Sequence, residues 1–286
     1  MKTNVLTSDH YSIAMTFYEP ELNSAFNPPF KGSILIAPAM GVSQEFYAPL
    51  ANWLATQGFR VASFDYRGMG RSKHEPLSEL KANLFDWMKL DASAALNALM
   101  QRAGAGDIFW VGHSLGGQIF AFVDHHEKIK KMITFTSGSG YWLTNALSLR
   151  WRVWFLWFVV VPITVPIFGY FPGKRLRMVG DLPADVMWQW RRWCLNRNYS
   201  VGAEPKWVEE VYASVKVPIT AISFTDDELM SQQSIDDLHA FYIHANQKML
   251  RVKPSDYGLS KIGHFGFFRE RMKESLWKKL LLPELK

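Results

Sequence analysis

Asp107-Ile108-Phe109-Trp110-Val111-Gly112-His113-Ser114-Leu115-Gly116-Gly117-Gln118-Ile119-Phe120-Ala121-Phe122-Val123 is the stretch on which the reading of this chain turns. A short apolar run precedes Ser114 and a helix-like run, Gln118–His126, follows it. The serine itself stands at G-x-S-x-G spacing between Gly112 and Gly116. A strand that turns sharply into a helix forces its turn residue into a strained backbone conformation. Side chains at the two flanking positions would collide with the neighbouring strand and helix, hence the glycines. The geometry lifts the Ser114 hydroxyl clear of the sheet and aims the amide of Leu115 at whatever the hydroxyl attacks.

Working outward, alternating or apolar runs predict strands at Tyr11–Tyr18, Gly32–Pro38, Arg60–Tyr66, Asp107–Gly112, Lys131–Thr136, Pro218–Phe224 and Lys248–Val252. Helical spacing marks Phe46–Gln57 (closed by Gly58), Leu84–Ala103 (ending at Gly104), Ser234–His244 and Glu270–Leu282. Strands alternating with helices imply a mostly parallel sheet covered on both faces.

From Ser139 to about Val215 that rhythm is lost. Residues 139–215 read as an inserted apolar and aromatic lid over the carboxyl edge of the sheet, with residues 1–138 and 216–286 forming the core. Val153 to Phe171 carries no charge at all. It is nearly as long as the ~20 apolar residues a bilayer crossing needs. Pro162 and Pro166 argue against one uninterrupted helix. A crossing would also divide the α/β pattern between the two sides of a membrane. A greasy lid is the preferred reading, with shallow membrane contact left open for such a surface.

A serine nucleophile needs a base to take its proton, a carboxylate to orient the base, and donors for the developing oxyanion. With a nucleophile elbow the order along the chain is Ser, then Asp or Glu, then His. Thr225-Asp226-Asp227-Glu228 follows the strand Pro218–Phe224 and supplies the carboxylate. Asp227 is preferred, with Asp226 as the alternative acid and helix capping near Ser231–Ser234 as the bland role for either. Among the eight histidines, His264 in Gly263-His264-Phe265-Gly266 alone lies after the last strand and before the final helix. His113 adjoins the serine but should face away from its hydroxyl and pack. The second oxyanion donor is assigned to the backbone N–H of Met40, after Ile34-Leu35-Ile36-Ala37-Pro38-Ala39, in partnership with Leu115.

Composition narrows the field. The chain has 286 residues, 48% hydrophobic and 20% charged, enough for one α/β domain with an insertion. Lone Cys194 excludes an internal disulfide and fits a reducing compartment. The first residues lack the apolar core of a signal peptide, so a cytoplasmic protein is expected. The net charge of +6 comes from dispersed groups (Lys128-Lys130-Lys131, Lys174-Arg175-Arg177, Arg191-Arg192, Lys278-Lys279) without a nucleic-acid-binding motif. Neither metal-ligand clusters nor a complete phosphate-binding glycine loop is evident, since Gly68-x-Gly70 lacks the third glycine. No cofactor or metal is expected.

These motifs together resemble an α/β-hydrolase of the serine aminopeptidase-like and lysophospholipase-like kind over nearly the whole length. Asp65-Tyr66-Arg67-Gly68-Met69-Gly70-Arg71-Ser72 is similar to the D-x-R-G-x-G-x-S segment of that group, and Met40-Gly41-Val42 through Phe46-Tyr47 looks like a set of predicted bacterial hydrolases. Pro38-Ala39 stands where many members have His-Gly, which leaves a backbone amide intact. The segment around Arg67 reads as structural, pinning a loop beside the oxyanion strand. The resemblance implies an α/β-hydrolase fold with an inserted helical lid, and a cofactor-independent serine hydrolase cleaving carboxylic esters. Thioesterase, aminopeptidase or amidase, and acyltransferase are the alternatives, and a non-catalytic binding module is the rival of another class. Trp151, Trp154, Phe155, Trp157, Phe158, Trp188, Trp190 and Trp193 suggest a hydrophobic acyl group on a small-molecule ester.

Overall fold

Along Ile34-Leu35-Ile36-Ala37 successive side chains leave the backbone in opposite directions, as an extended chain requires. Ile34 and Ile36 join one apolar cluster, Leu35 and Ala37 another. That division repeats at Phe109/Trp110/Val111 and at Met132/Ile133. A sheet buried on both faces is the result. The computed structural model describes residues 1–20, 29–104 and 106–286.

The main sheet begins with β1 (Lys2–Leu6), β2 (Ser12–Tyr18), β3 (Gly32–Ala37), β4 (Phe59–Phe64), β5 (Ile108–His113) and β6 (Lys131–Phe135). Between them run helices α1 (Ala48–Thr56), α2 (Ser93–Ala103) and the single turn α3 (Leu115–Gln118). An insertion follows, with α4 (Leu147–Phe155), α5 (Val161–Phe168), the short antiparallel pair β7 (Tyr170–Phe171) and β8 (Leu182–Pro183), then α6 (Ala184–Leu195), α7 (Tyr199–Ala203) and α8 (Trp207–Ser214). The chain returns through β9 (Ile219–Phe224), α9 (Gln232–His239), β10 (Gln247–Val252) and α10 (Gly263–Gly266). The strand order is β1-β2-β4-β3-β5-β6-β9-β10, antiparallel at β1–β2 and β2–β4 and parallel elsewhere. The chain winds one way from β3 to β4 and the other way from β5 to β6. A crevice therefore opens at the carboxyl ends of β3 and β5, where ligands bind in open α/β sheets.

One face of the sheet is covered by α1 (Trp53, Leu54) and the C-terminal helical segment (Leu276, Trp277, Leu280, Leu281). The other is covered by α2, α3 and part of the insert. Each large apolar side chain so buried stabilises the fold by about 1.5–3 kcal/mol. The insert divides by its packing: Tyr199, Val208 and Tyr212 from α7 and α8 belong to the core, and Tyr212 donates its hydroxyl proton to the Gln118 carbonyl at 3.0 Å.

All seven predicted strands are present, and β1 adds an eighth along the edge of the sheet. Its exposure alternates, but five polar-rich residues give too short a pattern to read. The predicted helix Gln118–His126 is broken: after α3 come single tight turns at Phe120–Phe122 and His126–Lys128, with His125 at φ 64°. Ile119 through Val123 are buried on every side, so no solvent-facing stripe favours one helical axis over another.

The reading of Pro162 and Pro166 as interruptions is also corrected. A single helix runs from Leu149 to Phe168, with wider i→i+5 turns over Leu156–Val160 immediately before Pro162. Continued one step, that wider pattern would bring the N–H of residue 162 to the Trp157 carbonyl, and proline has none to give. Arg191 Nε donates there instead, at 2.7 Å.

Arg67 is structural, though it pins something other than the expected loop. Its guanidinium joins Asp91 of the helical segment leading into α2 (Nε–Oδ1 2.8 Å) to Asp9 of the β1–β2 turn (2.6 Å). Asp65 holds the loop after β3, accepting the Gln44 N–H and side-chain amide, both at 2.8 Å. Burial pushes the Asp91 carboxyl up to about 6 against the pull of Arg67, whereas Arg67 holds the more exposed Asp9 down at about 2. Removing one partner of a buried pair leaves a charge without compensation. Arg67→Ala should therefore cost about 3–5 kcal/mol in urea unfolding. Asp9→Asn, at the wet end of the bridge, should cost at most about 1 kcal/mol; equal losses would contradict this division.

Candidate active site

Ser114 follows β5 with φ 51° and ψ −111°, a conformation a non-glycine residue holds only when its surroundings dictate it. Its N–H donates to the Phe135 carbonyl at 2.9 Å and its carbonyl accepts from Gly117 at 3.0 Å. A Cβ on Gly116 would lie 2.0 Å from the Ala37 carbonyl oxygen, and one on Gly112 would lie 2.5 Å from that of Gly116. Strand, turn and helix can approach this closely only with glycine at both positions.

The acidic run after β9 grips the loop of His264 at three points. Asp227 accepts from His264 Nδ1 at 3.0 and 3.1 Å. Asp226 Oδ2 instead accepts the backbone N–H groups of Ile262 and Gly263, at 2.8 and 3.1 Å. Glu228 accepts the His264 N–H at 3.2 Å. Asp227 and His264 are both buried, and Asp227 Oδ1 is held in turn by the N–H groups of Leu229 and Met230 at 2.8 and 2.9 Å. With Nδ1 donating to the carboxylate, Nε2 is left as the basic nitrogen. Ser231 caps α9, accepting the Ser234 N–H at 3.1 Å, so neither aspartate is needed there.

Behind the serine, His113 faces away from the hydroxyl, and its ring carries a connection that the sequence did not reveal. Its Nε2 lies 3.1 Å from the His264 carbonyl, which can only accept, so that nitrogen bears the proton. Burial holds the ring well below its ordinary pKa, so it is neutral and Nδ1 is bare. Tyr47 donates its hydroxyl proton to Nδ1 at 2.8 Å, and the Tyr47 oxygen accepts the Ala39 N–H at 2.9 Å. One chain of hydrogen bonds thus ties the loop after β3 to the backbone of His264. Tyr47 and Glu228 lie in segments the sequence singles out, but no motif assigns either this role, because their partners are backbone groups and a histidine distant in sequence.

Ser114, His264, Met40 and Leu115 line one cavity of about 560 Å³. Among the described residues neither the Met40 nor the Leu115 amide donates to a protein acceptor, and no hydrogen bond joins Ser114 to His264. Catalytic contacts of this kind often close only around substrate. Leu149, Val153, Leu156, Trp157 and Trp190 form apolar walls, Arg152 and Arg177 lie among them, and among the described residues no carboxylate lines the space. Of the eight aromatic residues named from the sequence, Trp157 and Trp190 reach the cavity. Trp193 is in the core, while Trp151, Phe155 and Phe158 are exposed.

A mostly parallel eight-stranded sheet with this elbow and this loop order defines an α/β-hydrolase. The chain belongs to the serine aminopeptidase S33 family, whose model matches residues 28–256. The uncharacterized protein YfhR of Escherichia coli O157:H7 is 34% identical over 118 residues, 35% of this chain and 39% of the relative. The match therefore spans well under half of that curated relative's length. Among solved structures, a soluble variant of monoglyceride lipase from Saccharomyces cerevisiae superimposes with a TM-score of 0.60 at 14% identity, covering 86% of this chain and 85% of that one. An N-acyl homoserine lactonase, AidH, reaches 0.61 at 15% identity over 100% and 97%.

Removing the Tyr47 hydroxyl orphans His113 Nδ1 and the Ala39 N–H together, in a site closed to water. Tyr47→Phe should lower the unfolding free energy by about 1–3 kcal/mol. A variant as stable as the parent in urea titrations would show that the chain of bonds carries no weight.

Proposed function

We propose that this protein is a serine hydrolase of carboxylic esters with a hydrophobic acyl group, working through Ser114, His264 and Asp227. The observation that carries the reading is the buried Asp227–His264 hydrogen bond opening on the same cavity as the strained Ser114. Ser114 Oγ attacks the ester carbonyl as His264 Nε2 takes its proton. The Met40 and Leu115 amides hold the oxyanion, each worth roughly 3 kcal/mol in such sites. His264 then protonates the departing alcohol, leaving an acyl-enzyme. Water activated by the same imidazole attacks that ester, and the acid leaves with Ser114 restored. Asp227 fixes the tautomer and orientation of the ring and stabilises the imidazolium. Asp226 and Glu228 keep the loop in place and touch no reacting atom. The apolar walls favour an acyl chain or aromatic acid, and the helices over the cavity act as its lid. Esters, thioesters and amides share this chemistry, so leaving-group preference is read from a panel of p-nitrophenyl esters, acyl thioesters and aminoacyl anilides.

A fluorophosphonate probe should label the intact protein and leave Ser114→Ala untouched; labelling of that variant would defeat the assignment. Among the acids, Asp227→Asn should lower kcat by about 10⁴-fold through loss of the correct tautomer. Asp226→Asn, which keeps an acceptor for the loop, should stay within roughly tenfold. The reverse ranking would move the triad acid to Asp226.

A further inference from the structure

The helix over the cavity has two unlike apolar sides. Val153, Trp157, Val161 and Val165 form a buried stripe. Four-residue spacing drifts around an ordinary helix of 3.6 residues per turn, and the wider turns at Leu156–Val160 take up that drift. The opposite side holds large apolar side chains left open to solvent, with Trp151 and Phe158 stacked on Trp154 between them. Trp151 is 70% exposed, Phe155 44%, Phe158 42%, Ile163 53% and Ile167 70%. A row of this length on one face exceeds the isolated apolar residues an ordinary surface carries.

Charge says what fits it. Between residues 147 and 180 the sequence has Arg150, Arg152, Lys174, Arg175 and Arg177 and no aspartate or glutamate. Among the described residues none of these five side chains has a carboxylate partner. Arg175 lies over the ring of Phe168 at the end of the helix, 5.5 Å from its centroid. Arg152 and Arg177 border the cavity from the helix and from the following loop. Exposed Leu176 and Met178 continue the apolar surface beside them.

We propose that this face docks the protein on an anionic lipid bilayer, lying in the interface with the helix parallel to the surface. Trp151, Phe155, Ile163 and Ile167 enter the headgroup boundary while the cations around them meet acidic headgroups. The helix lies on the bilayer and does not cross it, because its inner stripe is committed to the protein core and Arg191 clamps its widened turn. Docking brings the border of the cavity to the membrane surface, from which an acyl substrate is drawn. The binding itself does not depend on the hydrolysis proposed above.

Flotation with phosphatidylcholine vesicles, alone and with phosphatidylglycerol added to supply a negative surface potential, tests this on the full chain. The protein should float with the anionic vesicles, less so as salt is raised. Trp151→Gln/Phe155→Gln/Ile163→Gln/Ile167→Gln should bind at least about tenfold more weakly. None of these four residues lines the cavity, so turnover of a soluble short-chain ester should be unchanged. Lys174→Gln/Arg175→Gln should lose the preference for anionic vesicles. Three outcomes overturn the proposal: no flotation with either vesicle, retention in the membrane after alkaline carbonate, which means spanning, or a concentration-dependent dimer abolished by the fourfold variant, which makes a second copy the occupant. Loss of ester turnover without loss of flotation would count against the hydrolase reading alone.

Discussion

The contact between Gly116 and the Ala37 carbonyl governs the rest of the molecule. With only hydrogen on that Cα, the turn after β5 can press against the end of β3. The loop after β3 then lies beside Ser114. A Cβ there would lie 2.0 Å from that oxygen, so a larger residue would force the two segments apart and shift the Met40 loop away from the turn that carries Leu115. The strain at Ser114 is sustained by the same crowding, since its backbone is bonded on both sides to elements that cannot yield. Neighbouring parallel strands buried on both faces make that rigidity available.

Much of this was legible in the sequence, for physical reasons that differ by element. Strands such as Ile108–His113 are continuous apolar runs because both faces are covered, and such runs survive without knowledge of their neighbours. The elbow was legible because its glycines answer a local steric demand. His264 and the acidic turn were legible by position along an alternating chain. Asp227 is preferred within that turn by its place before an apolar pair, but the roles of its neighbours were not legible: Asp226, Asp227 and Glu228 are consecutive and chemically alike. Only the folded chain reveals that one meets the imidazole ring while its neighbours hold backbone amides.

Other misreadings arose where tertiary contacts override local preference. Ile119–Val123 is apolar enough for a helix but is surrounded, so nothing enforces helical periodicity. Pro162 reads as a breaker until a guanidinium thirty residues away supplies the missing donor to Trp157. Tyr47 belongs to a segment that the resemblance covers, but its role was not legible, because that role depends on His113, which is itself unremarkable beside a serine motif.

The Tyr47–His113 connection has a consequence for how the site can fail. The ring works as a one-way link, receiving a proton from the tyrosine on one side and giving one to the His264 carbonyl on the other. An added proton on Nδ1 would occupy the lone pair that the tyrosine hydroxyl now uses, so the Tyr47 side of the link would have to rearrange while Nε2 went on donating to the His264 carbonyl. Loss of the ring itself would therefore be felt on both flanks, by the loop after β3 and by the loop of His264 together.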